Sequence, residues 1–119
     1  MNDYVNEFHK YKDIKEIADL IDEVNKLREY YFTRQYGLMH QHIEALTKKY
    51  FTETFLWNST HQAMPTTTEQ AYGNAETFLR LKGLSVLIKN GIDLRNQLTE
   101  QENAFIEATF KPMESGEKN

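Results

Sequence analysis

DIKEIADLIDEVNKLREYYF, residues 13–32, is the stretch whose pattern decides the fold. Ile14, Ile17, Ile21, Val24, Leu27 and Tyr31 recur at spacings of three and four, which stacks them on one face of an α-helix. Lys15, Glu16, Asp19, Asp22, Glu23 and Lys26 lie between them and read as the solvated face. Asp13 followed by Glu16 is the expected capping pair at the helix start. Upstream, Tyr4, Phe8 and Tyr11 form a shorter stripe, either a separate turn of helix or a continuation of the same one.

Downstream, the helical period continues over about residues 38–57, with Met39, Ile43, Leu46 and Tyr50 flanked by Phe51 and Phe55. Residues 2–64 contain no proline, so a single helix from Asp13 to Trp57 is sterically open and would be roughly 66 Å long. A domain of this size has a radius of gyration of about 13–14 Å, so the helix must break unless the protein is elongated. The expected break is Thr33 to Gly37, where polar residues interrupt the stripe. Gly37, the first glycine of the chain, can adopt the left-handed conformation there.

Residues 58–68, NSTHQAMPTTT, read as a loop, with Thr66 and Glu69 as a capping box for the next helix. That helix, about Glu69 to Lys89, is apolar most of the way round and is expected to be central. Asn90-Gly91 closes it. A last helix opens at a second capping box, Thr99 and Glu102, and buries Phe105, Ala108 and either Ile106 or Phe110. The expected fold is all-α: a small antiparallel bundle of three to five helices, with residues 1–112 as one domain and 113–119 as a disordered polar tail. Five glycines and two prolines are too few for the turns of a sandwich or barrel.

The same composition limits the chemistry. There are no cysteines, which removes disulfides, thiol catalysis and thiolate metal sites. No stretch approaches the ~18 apolar residues of a membrane span, and MNDYVNEFHK lacks a basic-then-apolar leader pattern. A cytoplasmic protein with no membrane partner is therefore expected. The net charge of −4 disfavours nucleic acid, since phosphate contacts call for a basic surface. The last two helices resemble a helix-turn-helix only in outline. The second one would present Glu100, Glu102 and Glu107 to the groove.

His40 and His42 are two residues apart and so about 200° apart on a helix, which cannot grip one metal. No nucleophile elbow, P-loop or dinucleotide fingerprint is present. The acidic residues read as exposed helix faces, with Asp22–Lys26, Glu44–Lys48 and Glu76–Arg80 as i, i+4 pairs. The expectation is no enzyme activity, no cofactor and no metal.

The unusual feature is aromatic. Eight of the fifteen aromatic residues fall within residues 30–57. Tyr30, Tyr31 and Phe32 are consecutive, so one face cannot bury all three, and the same holds for Tyr50 with Phe51. Tyr30, Tyr31, Tyr36, Tyr50, Phe51, Phe55 and Trp57 are therefore the candidate interaction residues. The leading function is a non-catalytic binding or regulatory protein, an adaptor or inhibitor of another macromolecule. Self-association, with a dimer favoured, is expected along the Ile14–Tyr31 or Tyr30–Trp57 surface. The alternative is an oligomeric protein that sequesters a nucleotide or other small ligand, using ring stacking with Arg28, Arg34, Arg80 or Arg95. The tyrosine- and asparagine-rich, motif-free sequence suits a viral or mobile-element origin.

Overall fold

The structure, a computed structural model, describes residues 3–55 and 67–110. Helix α1 spans Tyr4–His9, α2 Lys15–Phe32, α3 Tyr36–Lys49, α5 Thr68–Lys89 and α6 Glu100–Phe110, and a 3-10 turn covers Arg95–Gln97. Residues 51–55 form a further helical turn, α4. There is no strand among the described residues. Trp57, His61, the Thr66 cap, most of the 58–68 loop and the 113–119 tail lie outside them.

The longest dimension is 44 Å, so the 13–57 helix of roughly 66 Å does not exist. It breaks after Phe32, within the expected segment but not at the expected residue. Arg34, not Gly37, takes the left-handed conformation, at φ 61°. The Arg34 N–H bonds the Tyr31 carbonyl and the Gln35 N–H bonds the Tyr30 carbonyl, which is the Schellman pattern. Thr33 Oγ1 adds a bond to the Glu29 carbonyl at 2.6 Å. Gly37 is helical, inside α3. A second break falls at Tyr50, where ψ is 47°, so the expected 38–57 helix is two pieces.

The other ends follow local chemistry more closely. Thr99 and Glu102 form the expected capping box, each accepting the other's backbone N–H at 3.0 Å. Gly91, at φ 90°, ends α5 with the same Schellman bonds, to Ile88 and Leu87. The α5 cap is Thr67, bonded to the Gln70 N–H. The expected Asp13–Glu16 cap of α2 does not form: the N-cap is Ile14, which has no side-chain cap bond.

Helix α2 packs against α1, α3 and α5, and α5 packs against α2, α3 and α6. The core is built from Ile17, Leu20, Val24 and Leu27 of α2, Met39 and Leu46 of α3, Phe78, Leu79, Val86 and Leu87 of α5, and Ile106 with Phe110 of α6. Most of the Ile14–Tyr31 stripe is thus covered within one chain, with Ile14 and Tyr31 half-buried at its ends. In α6, both Ile106 and Phe110 are buried, while Ala108 is exposed. They are four apart and share a face, and that face leaves Ala108 turned away.

Candidate interaction surface

The end of α2 delivers three consecutive rings to three environments. Tyr30 lies edge-on to the His42 ring at 6.1 Å. Tyr31 stacks on Tyr72 of α5, with centroids 4.1 Å apart and planes within 8°. Phe32 meets both Tyr31 and Tyr72 edge-on, at 5.1 and 5.8 Å. Because the Schellman turn at Arg34 is tight, α3 starts close by, and Tyr36 comes to 6.1 Å from Tyr31. The ends of α2, α3 and α5 therefore share one four-ring cluster. Tyr31 and Tyr72 are half-buried, whereas Phe32 is 69% exposed and Tyr36 39%, with Leu38 also open.

A polar network fixes the inner rings. The Tyr72 hydroxyl donates to Glu76 Oε2 at 2.9 Å. The same Glu76 oxygen takes the Arg28 Nε–H, and Arg28 reaches Asp3 through Nη1 at 2.6 Å and Nη2 at 3.1 Å. Burial, then the bond to Glu76, pushes the Tyr72 hydroxyl up to about 12. The Arg28 guanidinium holds the Asp3 carboxyl below its ordinary range, and Asp3 in turn raises Arg28. Glu76 therefore bonds Arg28 and not Arg80, as the i, i+4 reading had it. Arg80 instead bonds Glu102 of α6 at 2.9 Å.

A second exposed pair lies at the far end of α3. Phe51 and Phe55 of α4 stack at 6.4 Å and are 65% and 60% exposed. The inner side of α4 is polar. Thr54 is buried, its hydroxyl within hydrogen-bond distance of the Thr47, Tyr50 and Phe51 carbonyls. Glu53 meets the buried Lys82 of α5 at 2.6 Å. An amphipathic helix normally turns its apolar side inward, so α4 is inverted. Tyr50 belongs to the interior network and not to this surface: its hydroxyl donates to Glu23 Oε1 at 2.8 Å, and Lys49 Nζ reaches the other Glu23 oxygen at 2.6 Å. Burial, then the Glu23 bond, moves the Tyr50 hydroxyl well above its ordinary value.

Of the seven residues picked from sequence, Tyr31 and Tyr36 join in one cluster, Phe51 and Phe55 form another, Tyr30 packs on His42, Tyr50 turns inward, and Trp57 lies outside the described residues. Phe32, the most exposed of the exposed large apolar side chains, was absent from that set, as was Leu38. The only sequence signal for Phe32 was its place third in an aromatic triplet. Of the four arginines, Arg28 and Arg80 are engaged by carboxylates, Arg34 is the exposed turn residue, and Arg95 opens the 3-10 turn.

A cavity of about 100 Å³ between α1, α5 and the 3-10 turn is lined by Tyr4, Phe8, Leu84, Leu87 and Leu98 among others. Ligand pockets run to about 300–1,000 Å³, so this one is too small for a nucleotide. Among the described residues, no three His, Asp or Glu side chains converge as a metal site would need. No helix of the described residues is long and apolar enough to cross a membrane. Comparison with protein-family models, with curated proteins and with solved structures found no match for this chain.

Proposed function

We propose that this chain is a non-catalytic binding protein that docks another protein on the corner formed by Phe32 and Tyr36, and acts as an adaptor or inhibitor. The observation that carries this reading is the setting of Phe32, whose ring is 69% exposed yet braced edge-on by the stacked Tyr31–Tyr72 pair. A braced ring loses little conformational freedom on binding, which is why rigid aromatics dominate the affinity of protein interfaces. The inverted α4 supports the adaptor form. Phe51 and Phe55 sit beyond the opposite end of the 14-residue α3, about 20 Å from Tyr36. One extended partner, or two short ones, can then be gripped at both ends.

The test is affinity purification with the wild type and the double variant Phe32→Ala/Tyr36→Ala, after their thermal stabilities have been matched. A protein retained by the wild type and lost by the variant supports the reading. Identical retention by two equally stable chains overturns it.

A further inference from the structure

The bend between α1 and α2 has no local cause. Residues 10–14, KYKDI, contain neither glycine nor proline, and each is compatible with a helix. Lys10 is already in the right-handed helical conformation, and Lys10, Tyr11 and Ile14 each bond the carbonyl three residues back. Ile14 is the extended residue, with ψ 118°, and no side chain caps α2 there. Bringing Ile14 to a helical ψ would favour one continuous helix over Tyr4–Phe32, roughly 43 Å long.

Tertiary contact holds the bend instead. Phe8 is fully buried and its ring fills the space over Gly83 of α5, Val5 is buried beside it, and Asp3 pairs with Arg28 of α2 at 2.6 Å. Six residues are too few to form a stable helix alone, so α1 exists because this groove receives it. The seating is also incomplete. The Tyr4 hydroxyl is buried without a hydrogen-bond partner among the described residues, and the cavity of about 100 Å³ runs along α1. An unsatisfied group and a void both lower the cost of releasing α1 from the groove, whichever copy it sits in.

We propose that a second copy of this chain binds by exchanging α1. Residues 10–14 join α1 to α2 as one helix, and the Asp3, Val5 and Phe8 of each copy enter the Gly83–Arg28 groove of the other. The occupant is set by the groove itself: a glycine notch that takes a phenylalanine ring, with a cation placed for an acidic group five residues earlier. Identical contacts are made in either form, so only the hinge and the association entropy separate them, the usual condition for exchange. This groove connects to the Phe32–Tyr36 corner through Arg28, Glu76 and Tyr72 but shares no residue with it.

Two measurements test it. Lys12 and Asp13 are exposed and bear no load in the fold, so Lys12→Ala/Asp13→Ala and Lys12→Gly/Asp13→Gly both keep the bent monomer available. Light scattering across a concentration series should give a dimer about tenfold or more tighter for the alanine pair than for the glycine pair, following their helix propensities. The second measurement mixes Phe8→Ala, which keeps the groove, with Gly83→Leu, which blocks it but keeps the strap. The mixture should yield a heterodimer that neither variant forms alone. Chains that stay monomeric throughout the series overturn the proposal. So does a dimer indifferent to the hinge, or one abolished by Phe32→Ala/Tyr36→Ala. In that last case association runs through the corner, and the binding reading survives while exchange falls.

Discussion

The ring of Phe8 occupies the space that a side chain on residue 83 would need: a Cβ built on Gly83 would overlap the Cε2 and Cζ atoms of Phe8. Gly83 lies inside α5, where glycine costs about 1 kcal/mol relative to alanine. The close approach outweighs that cost. Gly83→Ala should therefore destabilise the chain, by about 1–3 kcal/mol as overpacked cores do, although it improves helix propensity. Urea unfolding of Gly83→Ala, Phe8→Leu and the double variant checks this. The smaller leucine should recover part of the loss, so the double variant should fall short of the sum of the singles.

Acid should loosen α1. The Arg28 guanidinium depresses the Asp3 carboxyl in the folded state. The Asp3–Arg28 contribution is thus present above the unfolded carboxylate value near 3.9 and is lost as pH falls through the lower folded one. Unfolding midpoints of the wild type and Asp3→Asn should differ at pH 7 and converge in acid. A constant gap down to strongly acidic pH would show that Arg28 does not act through the Asp3 charge.

The alkaline limb has the opposite sign. Tyr72 is pushed up to about 12, and Tyr4 and Tyr50 are raised further, chiefly by burial. A raised tyrosine stabilises the fold fully below the unfolded value of about 10, and that stability is lost as pH climbs toward the folded value. Ultraviolet titration should show Tyr4, Tyr50 and Tyr72 ionising late, together with unfolding. Tyr50→Phe should remove one late step and, with the Glu23 bond gone, part of the stability.

Breaking the Lys82–Glu53 pair should be costly. The Lys82 side chain is 8% exposed and that of Glu53 21%. Glu53→Ala leaves a buried ammonium unpaired, at a cost of about 3 kcal/mol or more. Lys82→Met combined with Glu53→Gln should return to within about 1 kcal/mol of the wild type, because replacing both charges removes the desolvation cost along with the attraction. Thermal unfolding of the three chains reads this directly.

The parts of the fold legible in the sequence are those whose cause is local. Thr99 with Glu102 and Asn90-Gly91 mark their helix ends through bonds spanning a few residues. The Asp13–Glu16 reading failed because Phe8, docked on α5, decides where α2 begins. Glu23 read as a solvated residue, yet Tyr50 and Lys49 draw it inside from far along the chain. Glu76 lost Arg80 to the more distant Arg28. The surface shows the same division. Crowding of Tyr30, Tyr31 and Phe32 was visible as a count of faces, but which ring is left outside depends on Tyr72, forty residues away.

The Arg34 turn has a kinetic consequence. A left-handed arginine costs about 1–2 kcal/mol that glycine would not, and it leaves an exposed cation two residues after Phe32. Charge and ring therefore leave the fold together. An acidic partner would be drawn to the cation during the encounter, so its association rate would fall as salt is added, while its dissociation rate, governed by the buried rings, would hardly move.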